Sequence, residues 1–311
     1  MAKLATFQDP MFHDEDRARE ALEAELWPDG PVCRHCGNSD PEKIAKVEGK
    51  KRSHRPGLYY CNECKGQFTV TVGTVLERSK IPLTKWWMAA HLFNQGKNGV
   101  SAHEIHRTLG VTYKTAWFMM HRLREAMNEL NPTPMGGKGQ SVQADETYYG
   151  NTSRRAKGYR KGLRHKQSIL ALVEPKGKVR AFHVKRATSE SVREILVRNA
   201  SRKSELHTDE SQLYDKVGRE FAGHKTVRHG WNQRGIYVGP DGQTTNAVEN
   251  FFGNFKRSMK GTYRFCSEQH LARYLSEFQF RHNHRAGLGF NDGERTAAAL
   301  KGIAGKRLTY R

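Results

Sequence analysis

Four of the chain's five cysteines fall in two short pairs, Cys33-x2-Cys36 and Cys61-x2-Cys64, with 24 residues between them. Their segments, CRHCG and CNECKGQF, carry the turn residues of metal knuckles. Each pair can therefore present two thiolates to one ion in tetrahedral geometry. A module of about fifty residues has little core of its own, and a structural Zn2+ held by Cys33, Cys36, Cys61 and Cys64 would staple it. Four thiolates close the coordination sphere, so such a site shapes a surface and leaves no position for reactive water. In a reducing compartment these pairs read as metal ligands rather than disulfides. Cys266, alone in TYRFCSEQ, reads as a small half-buried residue.

At 311 residues the chain has room for two or three such units, each with its own core. Lys and Arg number 53 against 32 Asp and Glu, a formal charge of +21 that favours a polyanionic partner, nucleic acid first. A membrane surface is the competing partner. No uninterrupted apolar run approaches the roughly 18 residues of a spanning helix, however, and the first thirty residues are too acidic for a signal peptide. The expected setting is the cytoplasm, without membrane association.

Along the chain the pattern changes several times. Residues 12–26 carry helix formers with apolar Phe12, Ala18, Leu22 and Leu26, predicting a short packing helix within 1–27. From 28 to 80 the runs LYYC and QFTVTVGTVL, broken by Gly, Asn and Lys, predict a small β-rich metal module, a zinc ribbon. Residues 81–130 turn helical. The segment NPTPMGGKG at 131–139 reads as a linker. The unit at 140–290 reads as strands at 141–149, 168–174, 178–184, 204–208 and 225–229, with a helix at 188–200, another after the fourth strand, and helices again to about 285. Residues 291–311 read as a basic tail.

Within the helical region Ser101 and Glu104 form a capping-box pair, Gly110 ends one helix and Thr112 starts the next, YKTAWFMMHRLREAM. Two helices joined by a short Gly-containing turn make a helix-turn-helix pattern. Ala116, Met119, Met120, Leu123 and Met127 form the core stripe of the second helix, which leaves Lys114, Trp117, His121 and Arg124 available to DNA. An ordinary helical bundle would carry the same stripe.

Carboxylates supply the candidate chemistry. Asp145 alternates with Gln143 and Thr147 in SVQADETYYG and so projects from one face of a strand. Asp209 follows a second strand in SELHTDESQLY, where it could equally cap a helix beginning at Ser211. Glu249 lies in TTNAVENFFGNFKRSMKG. Helical spacing there separates apolar Val248, Phe251, Phe252, Phe255 and Met259 from a face bearing Glu249, Gly253, Lys256 and Lys260. Clustered carboxylates can hold two Mg2+ ions, which activate the attacking oxygen and stabilise the leaving one in phosphodiester displacement. Each acid taken alone reads as a solvated or capping group; order and context carry the assignment. Glu146 is left out because alternation points it to the other face, and Glu210 and Asp215 because they fall on a polar helix surface. His207, His224 and His229 read as structural. Asn246, one turn ahead of Glu249, is a candidate to orient that carboxylate.

ADETYYG, HTDESQLY, TNAVENFFGNFKRSMKGTYR and YLSEFQFRHNHR, preceded by the two knuckles and TVTVGTVLERSKIPLTKWW, resemble the ISXO-like insertion-sequence DDE transposases with an amino-terminal zinc ribbon. The resemblance runs from about Pro31 to Arg285. It implies a multidomain α+β chain: zinc ribbon, helix-turn-helix region, then a ribonuclease-H-like catalytic domain, a mixed sheet with flanking helices. It also implies Asp145, Asp209 and Glu249 as the triad, holding two Mg2+ ions, with Mn2+ as the substitute. The reaction implied is cleavage at the terminal inverted repeats to free a 3′ hydroxyl, followed by joining of that hydroxyl to target DNA by a homo-oligomer that synapses both ends. Lys256 and Lys260 would hold phosphate. The basic stretch at 153–166, with Arg154, Arg155 and Lys157, is either a backbone-tracking surface or a solvated loop. Two other readings share parts of this pattern. A ribonuclease-H-like nuclease would need no ribbon and helix-turn-helix, and a transcription regulator would need no carboxylate set.

Overall fold

The computed structural model describes residues 6–48, 54–150, 166–227, 238–239 and 242–308. The chain divides into two compact units, Met1–Asn128 with Arg285–Arg311, and Glu129–His284.

In the first unit, α1 (Glu15–Leu26) starts at Asp14, whose carboxylate accepts the N–H groups of Asp16 and Arg17. The helix predicted from residue 12 is thus shortened, because buried Phe12 belongs to a separate 3-10 turn, Pro10–Phe12. Strands β1 (Ile44–Lys46), β2 (Tyr59–Cys61) and β3 (Gln67–Phe68) form an antiparallel sheet in that order. Trp27, Tyr59 and Phe68 pack against it with ring centroids 5.4–5.8 Å apart. The strand expected to continue through TVTVGTVL does not form. Gly73 takes a left-handed φ of 69°, and the Thr74 hydroxyl donates to the Thr71 carbonyl at 2.7 Å, bending the run into turns.

The helices α2 (Leu83–Gln95), α3 (Ala102–Leu109) and α4 (Tyr113–Ala126) follow. Ser101 and Glu104 form a complete capping box, Gly110 closes α3 at φ 59°, and Thr112 caps α4. All five residues of the α4 core stripe are buried. Of the tail expected at 291–311, residues 291–308 are instead part of the folded unit: α9 (Asp292–Lys301) begins with a capping box between Asn291 and Glu294 and packs on α1, α2 and α4. The Arg295 guanidinium donates to the Asn94 carbonyl at 2.7 Å, and Ile303 and Gly305 pair by backbone with Val75 and Gly73. Ala299, Leu300 and Ile303 supply the apolar face that a solvated tail would lack.

This packing also corrects two expected DNA contacts. Because α2, α3 and α9 all cover α4, His121 and Arg124 are only 0 % and 1 % exposed. The Arg124 guanidinium lies 5.2 Å from the centre of the Phe93 ring, inside the unit.

The second unit is a five-stranded mixed sheet. β4 (Ser141–Tyr149), β5 (Gln167–Val173) and β6 (Val179–Val184) are antiparallel neighbours, while β7 (Glu205–Asp209) runs parallel to β4, and β8 (Gly223–Val227) parallel to β7. The order is β6-β5-β4-β7-β8. Alternation along each strand feeds two cores. Ile169, Ala171 and Val173 pack under α7 (Asn246–Ser258) and α8 (Glu268–Asn283). Val142, Ala144, Leu170, Leu172 and Leu206 pack under α5 (Ser189–Asn199) and α6 (Asp215–Gly218). This is the ribonuclease-H-like arrangement expected. Part of the segment read as a linker also belongs to the unit. Met135 is buried and bridges Ala200, and Gly136, at φ 74°, donates to Glu174 at 2.7 Å. No described helix is long and apolar enough to cross a membrane.

Candidate active site

Asp145 lies in β4, the central strand, and Asp209 ends its parallel neighbour β7. The β4–β7 pairing runs only from Ser141 to Gln143, so beyond Gln143 the edge of β4 lies open. Asp145, Glu146 and Asp209 meet there, with one carboxylate oxygen of each within 4.8 Å of the others. Alternation argues against Glu146, and it does leave β4 on the α6 side, where the Tyr214 hydroxyl donates to its Oε2 at 2.7 Å. Its longer side chain nevertheless reaches around the open edge. Alternation decides the face from which a side chain departs and does not limit where its end arrives. Glu210 and Asp215 are exposed. Asp209 accepts the Ser211 N–H at 3.0 Å in a local turn, and no helix begins at Ser211.

Burial, followed by the charges of Asp209 and Glu146, pushes the Asp145 carboxyl up to about 7. Glu146 is raised too, first by burial. Three carboxylates this close, one of them reluctant to ionise, repel one another until a cation compensates them. The donor set is all oxygen, which suits Mg2+ or Mn2+.

Glu249 sits in the first turn of α7, outside this three-carboxylate group, and its charge adds a smaller upward push on Asp145. Thr245, not Asn246, orients it: the Thr245 hydroxyl donates to Glu249 Oε1 at 2.7 Å, whereas Asn246 is exposed. Thr245 therefore gives α7 no side-chain cap. Gln143 supplies one from the sheet. Its Oε1 accepts the N–H groups of Ala247 and Val248 at 2.9 and 3.2 Å, and the residue is 1 % exposed. This tie fastens the helix bearing Glu249 to β4, two residues before Asp145. A side chain in one element capping another leaves no local trace in the sequence, so Gln143 was legible only as the strand neighbour of Asp145. Lys256 is exposed on α7, and Lys260 is exposed in the π-helical turn Met259–Tyr263 that follows. Arg154, Arg155, Lys157 and His229 lie outside the described residues.

In the first unit Cys33, Cys36, Cys61 and Cys64 converge, with all four sulfurs within 4.8 Å of one another. Cys33 and Cys64 are 3.6 Å apart, and Cys36 and Cys61 3.7 Å. A tetrahedral site with Zn–S bonds near 2.3 Å has edges of about 3.8 Å, so the set fits zinc. N–H groups of Cys64 and Glu63 pull the Cys61 thiol down to about 6, whereas burial pushes Cys64 up to about 12. Four crowded thiols cannot all ionise without a cation. On α4, Lys114 is exposed and Trp117 half-buried, its ring 4.0 Å from that of His121.

Residues 136–283 match the ISXO2-like transposase domain, and residues 13–67 match the transposase zinc-ribbon domain. The chain is 25 % identical over 285 residues to an uncharacterized protein in transposable element ISH50 of Halobacterium salinarum, covering 87 % of this chain and 91 % of that protein. A chain of the simian T-cell lymphotropic virus intasome in complex with PP2A regulatory subunit B56 gamma is 16 % identical. That match covers 56 % of this chain and 63 % of the other, with a TM-score of 0.27.

Proposed function

We propose that this chain, which matches the ISXO2-like transposase domain over residues 136–283 and the transposase zinc-ribbon domain over residues 13–67, binds the terminal inverted repeats of an insertion sequence, cleaves at their ends and joins the freed 3′ hydroxyl to target DNA. The observation that carries the chemistry is the meeting of Asp145 and Asp209 at the open edge of β4. Asp145, Asp209 and Glu249 form the triad. Glu146 adds a fourth carboxylate, whose Oε2 is held by Tyr214.

In cleavage, water attacks the phosphorus at the transposon end, the bond to the 3′ oxygen breaks, and that oxygen leaves as a hydroxyl. In joining, the same hydroxyl attacks a target phosphate and a target 3′ oxygen leaves. Divalent cations, Mg2+ or Mn2+, supply charge compensation and a more acidic attacking hydroxyl when bound. The chain's own residues do the positioning. Gln143 and Thr245 orient Glu249, and Lys256 and Lys260 offer phosphate contacts along α7. The ribbon, held by Zn2+ at its four cysteines, and the exposed Lys114 and half-buried Trp117 of α4 serve DNA docking, with Arg154, Arg155 and Lys157 tracking the backbone. Synapsis of two ends calls for a homo-oligomer acting at the nucleoid in the cytoplasm.

The test is an in vitro reaction with labelled terminal-repeat DNA and Mg2+, comparing wild type with Asp145→Asn, Glu249→Gln and Glu146→Gln. Wild type should nick and join. Asp145→Asn and Glu249→Gln should do neither while still binding DNA. Cutting without joining in the wild type would favour a nuclease, and full activity of Glu249→Gln with an inactive Glu146→Gln would move the third acid to Glu146.

A further inference from the structure

Beside the first two turns of α4 the segment from Arg78 to Ile81 stands as a second wall, and the two enclose a groove of about 650 Å3. Its volume falls within the range of ~300–1,000 Å3 typical of small-ligand sites. Tyr113, Trp117 and Phe118 give it an aromatic side, and Arg78, Lys80, Lys114 and Arg122 are its cations. Among the described residues no carboxylate lines it, and at its rim Glu77 Oε1 lies 3.7 Å from Arg78 Nε.

Two of those cations carry features that packing alone does not require. Arg78 is a non-glycine residue at φ 58°, a conformation that costs energy, and its side chain is 80 % exposed. Arg122 lies over the Phe118 ring, 4.7 Å from its centre, and its Nε is buried without a hydrogen-bond partner among the described residues. A long contact of 3.5 Å to the Glu77 carbonyl is its protein hydrogen bond. Burial pulls its pKa down. A half-buried guanidinium stacked on the aromatic side of a basic groove is arranged for an anion attached to a flat ring.

We infer that this groove seats one unpaired nucleotide of the DNA on which the chain acts, the base against the aromatic side and the phosphate on Arg78, Lys80, Lys114 and Arg122. Major-groove reading requires a helix that protrudes into a channel about 12 Å wide. Here the first turns of α4 form one wall of a recess, which a splayed nucleotide can enter and a paired one cannot. Aromatic stacking beside a basic rim is the general chemistry of single-strand binding, since every base offers a flat face. The net charge of +21 favours a nucleic acid over an acidic peptide as the source of the anion. The inference rests on the chain being a DNA-acting protein and is independent of the carboxylate assignments.

The test uses the zinc-loaded full chain without Mg2+, so that nothing is cut. Fluorescence anisotropy compares a labelled single strand of thymidylates with a blunt terminal-repeat duplex, and the part of the tryptophan quenching that is lost in Trp117→Phe reports on Trp117 among the five tryptophans. Arg122→Met should weaken single-strand binding about tenfold or more while changing duplex binding less than about threefold. The exposed pair Arg78→Ala with Lys80→Ala should show the same selectivity, and it guards against a folding defect in Arg122→Met. Equal losses on both DNAs, or no loss on either, would overturn the groove as a nucleotide seat. Wild type that holds duplex but not single strand overturns the groove and leaves the transposase reading intact, whereas wild type that holds neither overturns both.

Discussion

Replacing Asp145 by Asn should stabilise the metal-free second unit, by an amount that depends on pH. The folded chain raises this carboxyl from the ordinary 3.8 to about 7 through burial and the charges of Asp209 and Glu146. The folded state therefore keeps the proton over a range in which the unfolded chain has lost it. Stability from this group is full below 3.8 and falls as pH rises, until the folded form also ionises near 7. The slope is about 1.4 kcal/mol per pH unit, and the whole span is on the order of 4 kcal/mol. The amide introduced by Asp145→Asn has no proton to lose. The variant should thus gain on the wild type by about 1.4 kcal/mol per unit between pH 4.5 and 6.5, with the gap levelling above about 7. Glu146, raised for the same reason, leaves a smaller dependence in both proteins. Hydrogen exchange of β4 and β5 amides along a urea series reads this unit alone, without added divalent cation. Saturating Mg2+ should then close or reverse the gap, since the cation removes the repulsion only where the carboxylate is present. A gap that does not change with pH, or that widens toward acid, would refute the account of Asp145 as a buried, charge-crowded carboxylate.

Gln143→Met should cost about 1–3 kcal/mol for each of the two α7 N–H groups left without an acceptor, measured by the same exchange experiment. It should also lower end joining about 10- to 100-fold, with duplex affinity unchanged, because it loosens the helix that carries Glu249; equal losses in binding and joining would point to general unfolding. Cys61→Ser, or a zinc chelator on the wild type, should open residues 28–80 to protease while the β4 and β5 amides stay protected. Arg295→Met removes a charged bond to the Asn94 carbonyl and should destabilise the first unit by about 1.5–3 kcal/mol; an unchanged melting transition would mean that α9 contributes little to that core.

Much was legible before any coordinates because it is written in local spacing. Alternation in SVQADETYYG marked the strand that carries Asp145, and the run at 168–174 marked its neighbour, which feeds two cores through Ile169 and Leu170 on opposite faces. The stripe Val248, Phe251, Phe252, Phe255, Met259 marked the buried side of α7, and the paired cysteines marked the ribbon. Where local spacing misled, a long-range partner had intervened. The run after Phe68 lost its strand to a glycine turn and hydroxyl bonds, and its backbone found partners in residues 303 and 305 instead.

The sequence by itself determined the order of parts, the four cysteines that converge and the apolar face of each long helix, since these depend on residue type and on periods of two and 3.6. Only the tertiary structure decided which side chains share a site. Glu146 joins Asp145 and Asp209 because the β4–β7 ladder stops at Gln143 and leaves an edge around which a long carboxylate can reach. His121 and Arg124 turned inward because three other helices cover α4, and residues 291–308 became structure because the first unit had apolar surface to receive them. Periodicity fixes a direction relative to one element's axis, whereas burial and convergence depend on which other elements arrive and where each pairing ends.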